Sequence, residues 1–166
     1  MLQHEECVRA EEWRLSTSGA DRVDAAVRRL RRAGLRNTAP RRGVLDELAR
    51  AVGDQGHLTA SQLHHALLAR GLAVELSTVH RVLAQLVELG IAHTVPIGRT
   101  ITFGLADDAH HHAVCAGCGD IRQLPAEAVA ASVAAAQAAG IEADPSGHLA
   151  GVVVYGRCTR CRTTAR

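Results

Sequence analysis

The sequence predicts a mixed α/β (α+β) chain with two unequal halves: an N-terminal winged helix-turn-helix and a smaller α/β half organised by paired cysteines. Three observations predict it. Apolar residues recur at helical spacing in four consecutive segments between Asp21 and Gly90. A polar/apolar alternation around "PIGR" follows and reads as a hairpin or wing. Two CxxC pairs, Cys115/Cys118 and Cys158/Cys161, then enclose a short strand, an alanine-rich helix and a second strand. The boundaries read as a poorly ordered extension over residues 1–20, a winged-helix domain over 21–104, a polar hinge over 105–109 and a metal-binding domain over 110–166.

Length and charge fit this division. At 166 residues the chain can hold one medium domain or two small ones. Net charge is only +2, but residues 22–50 carry nine arginines against Asp24, Asp46 and Glu47. Such a local excess suits a phosphate-facing surface, and it equally suits a solvated helix face. Trp13, Phe103 and Tyr155 are the whole aromatic inventory, which disfavours base stacking on single strands and leaves major-groove reading by a helix open. The sequence has no run of eighteen apolar residues and no signal-like segment, so a cytoplasmic location without membrane contact is expected. In that reducing compartment close cysteines bind metal more often than they pair as disulfides.

Taken in order, the first helix carries Val23, Ala26, Val27 and Leu30 inward and ends near Gly34. The second follows Thr38 as N-cap and Pro40, with Val44, Leu45, Leu48 and Val52 on one face. The loop "GDQGH" leads to a third helix opened by Thr59 or Ser61, with Leu63, Ala66 and Leu67 inward and Gly71 at its end. The fourth is expected to start at a Ser77 cap and to carry Val79, Leu83, Leu86 and Leu89 until Gly90. Two helices joined by a short turn form the helix-turn-helix plan. In the C-terminal half, "DIRQL" and "GVVVYG" read as strands, and "PAEAVAASVAAAQAAG" as a helix with Pro125 in its first turn. Its apolar face is almost all alanine, so this half needs a metal or another subunit to be stable.

The cysteine pairs carry the strongest chemical signal. Two CxxC turns on neighbouring strands can complete a tetrahedral Zn2+ shell that leaves no position for water, a structural rather than a catalytic site. Two redox pairs or four free thiols are the other readings, and Cys7 stands outside the set. Just upstream, His110 and His112 project from one side of an extended strand and His111 from the other. Imidazole pairs bind zinc, iron, nickel or manganese, or simply sit in a solvated loop. His64, His65 and His93 read as surface residues.

"GLRNTAPRRGVLDEL", "GHLTASQLHHAL", "LSTVHRVLAQLVELGI", "HHHAVCAGCG" and "YGRCTRC", in that order, resemble the ferric uptake regulator family of metal-dependent repressors over about residues 22 to 162. The resemblance implies a winged helix-turn-helix domain followed by an α/β dimerisation domain with the four-cysteine zinc site, and a corepressor metal that sets the angle between them. It implies His57, His110 and His112 as regulatory ligands, and a possible second site of His111, Glu127 and His148. Ser77, Thr78 and Arg81 would contact DNA, with Arg41 and Arg42 near its backbone, and His80 stands where the family usually has Tyr. Iron- and peroxide-sensing members place a carboxylate where this chain has Gly104, for which Asp107 or Asp108 could substitute. Gln123 likewise replaces an acid of the peroxide sensors, and position 130 is alanine where the second site would have glutamate.

The resulting expectation is a homodimeric, metal-responsive repressor of metal-uptake or homeostasis genes, bound to a double-stranded operator. It carries one structural Zn2+ and a second divalent ion, Zn2+ or Fe2+ first, with Ni2+ or Mn2+ open. No small organic substrate is expected. Two rivals stand beside it. One is a metal-independent helix-turn-helix regulator whose zinc is purely structural. The other is a zinc hydrolase, for which the sequence offers no HExxH motif.

Overall fold

The computed structural model describes residues 18–51, 56–106, 111–141 and 151–163. Its elements run α1 Gly19–Arg32, α2 Ala39–Arg50, α3 Ala60–Ala69, α4 Leu76–Glu88, β1 Ala92–Ile97, β2 Thr100–Leu105, β3 His111–Cys115, β4 Ile121–Leu124, a 3-10 turn Ala126–Val129, α5 Ala130–Ala138, β5 Val153–Gly156 and α6 Thr159–Thr163. This is the mixed α+β order that the periodicity predicts. The first helix begins at Gly19, because Ser18 and Asp21 cap it reciprocally: the Asp21 N–H donates to Ser18 Oγ and the Ser18 N–H to Asp21 Oδ2. Cys7, Trp13 and Val52 lie outside the described residues.

The four helices and the hairpin enclose the main core. Leu30, Leu45, Leu48, Leu63, Leu67, Leu83 and Leu86 are buried in it together with Val23, Val44 and Val79. Gly43 in α2 makes this packing possible, since a Cβ there would lie 2.8 Å from both Leu67 Cδ2 and Leu72 Cδ2. Glu47, almost buried, accepts from Arg70 Nε at 2.6 Å and from Arg50 at 2.9 Å, which ties α2 to the end of α3. Thr59 caps α3 in a reciprocal arrangement with Gln62.

One expected boundary is corrected. Ser77 does not cap α4; Glu75 is the N-cap, and the helix already includes Leu76. The Thr78 and Val79 N–H groups bond the Glu75 carbonyl, so the turn closes through the backbone without a side-chain cap. Ser77 is left exposed within the first turn.

β1 and β2 pair antiparallel around the Gly98-Arg99 turn. β2 runs through Leu105, so the strand takes the first residue of the expected hinge, and residues 107–110 lie outside the described ones. The second sheet has the order β4-β3-β5, with β3 antiparallel to β4 and parallel to β5. Its small apolar cluster joins Val114 and Ile121 to Val95 of β1. The hairpin therefore belongs to both cores. Among the described residues no helix is long and apolar enough to cross a membrane.

Candidate metal centres

Parallel pairing of β3 with β5 brings the two CxxC segments to one end of the sheet, because both strands deliver their cysteines at their C-terminal ends. Cys115 ends β3 and Cys118 closes the following turn; Cys158 precedes α6 and Cys161 lies within it. The four sulfurs lie within 4.8 Å of one another, with Cys118 and Cys158 Sγ 3.8 Å apart. The backbone prepares the site for anionic sulfur. The Cys158 N–H donates to Cys115 Sγ at 3.3 Å, and this bond, followed by the one from Cys118, brings the Cys115 thiol down to about 6. Hydrogen bonding with Cys158, then with Cys118 and Cys115, pushes Cys161 up to about 12, as expected for the last proton shared among crowded thiols. Four thiolates around Zn2+ carry a net charge of about −2. The Arg160 guanidinium offsets part of it: its proton is held more tightly through Cys158 first, and through Cys118 and Asp120. Asp120, 7% exposed, accepts from Arg122 at 3.2 Å and lies 3.9 Å from Arg160.

The second centre is built by strand pairing. An isolated bridge joins Leu58 to Phe103, with the Leu58 N–H donating to the Phe103 carbonyl at 2.9 Å and the reverse bond at 2.8 Å. That bridge sets His57 beside Gly104 on one edge of β2, while on the other edge His93 is the direct partner of Gly104. Residues adjacent across strands face the same way. The two imidazoles therefore lean together over a residue with no side chain. His112, two positions before Val114 on β3, approaches from the second sheet. His57 Nε2 lies 2.8 Å from His93 Nε2, which lies 3.3 Å from His112 Nε2. The rings are 8%, 3% and 0% exposed.

His93 thus corrects the expectation of a surface residue. Its side-chain direction follows from the register of the hairpin, which no local pattern announces. His64 and His65 do lie away from this centre; the His64 Nε2–H donates to the Val74 carbonyl at 2.9 Å, and His65 is exposed. His110, Asp107 and Asp108 lie outside the described residues, as does His148. His111 Nδ1 accepts the Val152 N–H at 3.0 Å, and Glu127 is exposed on the 3-10 turn. Neither joins a metal-ligand cluster among the described residues. Gln123 sits opposite His112 in the β3–β4 ladder.

The donor set fits a transition-metal ion. His93 Nε2 carries either a proton or a lone pair, so it cannot be complementary to both neighbours in the same sense, whereas a cation takes all three lone pairs at once. Ligands about 2.0–2.1 Å from zinc stand roughly 3.3 Å apart, a spacing that the His93–His112 pair already has. A cleft of about 300 Å³, lined by His57, Thr59 and Thr102 on one side and by Cys118, Asp120 and Arg160 on the other, runs between the two centres.

On α4, Ser77, His80 and Arg81 are exposed, and Thr78 Oγ1 accepts from Arg81 at 3.0 Å. Arg41 is engaged within the fold, donating to the Arg36 carbonyl at 2.6 Å and to Gln85 Oε1 at 2.9 Å. Arg42 pairs with Asp46 at 3.1 Å and with Asp24 at 3.5 Å.

A helix-turn-helix with a wing, joined to a sheet that ends in four cysteines and shares a buried histidine triad with the hairpin, defines a metal-binding, DNA-binding type of protein. The chain belongs to the ferric uptake regulator family, whose pattern matches residues 32–143. It is 40% identical over 95 residues to the ferric uptake regulation protein of Pseudomonas aeruginosa, covering 55% of this chain and 69% of that one. The solved ferric uptake regulator of Pseudomonas aeruginosa with manganese superposes with a TM-score of 0.62 at 32% identity, covering 78% of this chain and 95% of that one. A zinc uptake regulator complexed with zinc and DNA shares the fold, with a TM-score of 0.62 at 22% identity over 90% of this chain and 98% of that one. This chain is accordingly a metal-responsive transcriptional regulator, from a family of regulators rather than enzymes.

Proposed function

We propose that the chain is a cytoplasmic, homodimeric repressor that binds a pseudo-palindromic operator when a divalent ion occupies His57, His93 and His112. The observation that carries this reading is the origin of the three ligands. His57 comes from the loop before α3, His93 from the wing and His112 from the C-terminal sheet. An ion held by all three restricts how the DNA-reading half sits on the half that pairs with its twin, and only one such orientation spans two half-sites a helical turn apart. The four-cysteine centre keeps the C-terminal half folded. Ser77, Thr78, His80 and Arg81 on α4 read the major groove, and Arg41 adds positive potential behind them, while Arg42 reaches the DNA backbone only by leaving Asp46 and Asp24. The protein with manganese and the one with zinc and DNA, both similar to this chain, support a corepressor metal and a duplex partner. The exposed apolar residues Ile141, Val154 and Tyr155, with an α5 in which no residue is fully buried among the described residues, support a second subunit as cover.

Metal content per subunit, measured before and after mild chelation alongside a mobility shift on the protein's own promoter, tests this. The expected result is two ions per subunit, one of them removable, and a shift weakened on the order of a hundredfold when that ion is removed. His57→Ala and His112→Ala should weaken the shift similarly while retaining the zinc of the cysteine centre. One ion per subunit, with a shift indifferent to chelation, would favour the metal-independent regulator instead. The contacts of the three imidazoles with one another are the observation on that side.

A further inference from the structure

We infer that Gly104 and His93 together set the metal selectivity of the histidine centre: the missing side chain at position 104 lets three imidazoles converge in a donor set that, among the described residues, has no carboxylate and favours zinc over manganese. This rests on the reading of that centre as the regulatory one. His57, Gly104 and His93 lie side by side across three paired segments, held by the Leu58–Phe103 bridge and the His93–Gly104 register. A Cβ placed on Gly104 would lie 2.7 Å from His57 Nε2, 2.9 Å from His57 Cδ2 and 3.0 Å from His93 Cε1. These distances are well inside van der Waals contact. The rings are buried, so a retreat would displace the packing around them.

Position 104 is therefore the floor of the centre. A side chain there would enter the space in which the nitrogens converge, so the site holds either a side chain from β2 or both His57 and His93 at their present distances. With glycine, the described donors are three neutral nitrogens and no carboxylate oxygen. Imidazole suits zinc, copper and nickel, whereas manganese prefers carboxylate and water oxygens in a larger shell. Any nitrogen-rich site binds zinc above manganese to some degree, and Gly104 and His93 widen that margin.

The test titrates the full-length protein, with zinc already in its cysteine centre, with zinc and separately with manganese in competition with a chromophoric chelator. Wild type is compared with Gly104→Ala and with the double variant His93→Ala/Gly104→Glu, which exchanges an imidazole for a carboxylate. Gly104→Ala should lower zinc affinity at the second site by on the order of tenfold, and the double variant should lower the zinc-to-manganese affinity ratio by at least about tenfold. Cobalt as a probe should give intense visible bands in wild type and weak ones in the double variant. Unchanged zinc affinity in Gly104→Ala, or an unchanged ratio in a double variant that keeps its structural zinc, would overturn the inference and leave the regulatory reading standing. If the double variant loses its structural zinc, the zinc-to-manganese affinity ratio of Gly104→Ala decides alone, a ratio equal to wild type overturning the inference. Failure of the wild type to bind any second ion would overturn both, and the one-ion stoichiometry would identify that case.

Discussion

A histidine's partners decide what it does, and this chain holds its histidines in contrasting environments. His93 is buried with its Nε2 turned towards two other imidazoles, whereas His64 spends its Nε2–H on the Val74 carbonyl and His65 faces solvent. His93→Ala should reduce second-site metal to below one ion per subunit and abolish the metal-dependent mobility shift. His65→Ala should leave both at wild-type levels, and His64→Ala should cost only about 1 kcal/mol of stability for its lost hydrogen bond. Metal analysis and denaturant unfolding distinguish the three. The cysteines divide by partner in the same way. Cys115, whose sulfur accepts a backbone N–H, is poised as a thiolate at neutral pH, and zinc must displace the proton that the crowded set retains at Cys161. Cys115→Ser should therefore lose the structural zinc and unfold the C-terminal half, seen as loss of the sheet signal in circular dichroism with the helical signal largely kept.

Among the elements, α2 and α3 show how small residues and caps place α4, the helix proposed to read DNA. Gly43 lets the Leu67 and Leu72 methyls reach the α2 backbone, and these contacts set the depth at which α3, and after it α4, sits. Gly43→Ala forces those methyls aside and should destabilise the fold by about 1–3 kcal/mol, read from the urea midpoint at unchanged slope. Thr59→Ala removes a reciprocal cap and should cost about 1 kcal/mol. Because Thr59 follows Leu58, whose bridge to Phe103 fixes His57, the same change should also weaken second-site metal binding slightly. α4 starts without a side-chain cap, which leaves Ser77 outward beside Arg81 rather than folded back on the helix. Arg81→Ala is expected to weaken operator binding without altering metal content.

Across the whole molecule, the wing and the C-terminal sheet meet along one line of contacts. His93 and Val95 alternate along β1, and His112 and Val114 along β3, so the histidine centre and the Val95–Val114–Ile121 cluster are successive contacts of the same two strands. The Tyr155 hydroxyl donates to the Pro96 carbonyl at 2.9 Å one step further on. The proposed ion and the apolar packing would thus favour the same arrangement of the two halves, which leaves an ion entering the site less ordering to impose. Val95→Asp places a carboxylate in that cluster without touching a ligand. It should lower second-site metal affinity several-fold and loosen the operator complex, while the structural zinc stays bound. Calorimetric titration of zinc into the variant, with total zinc as control, checks this.

Helix periodicity and the paired CxxC spacing were enough to foresee the order of elements as far as β5 and the four-cysteine centre, because each depends on residues within a turn or two of one another or on thiol chemistry that has few alternatives; the short helix α6 that carries Cys161 and the Glu75 cap of α4 were not foreseen. The resemblance added His57 and His112 to the other centre, and the structure brings these two together. The role of His93 was not legible. Nothing near His93 distinguishes it from His64 or His65, and its burial follows from a hairpin register that faces it to Gly104, together with a bridge that carries in His57 from thirty-six residues away. Gly104 likewise reads in sequence as a missing carboxylate, and only the packing of two rings above it turns that absence into space. Local chemistry names the groups able to bind a metal; which of them meet is decided by strand pairing, where a shift of one residue would turn His93 to the opposite face.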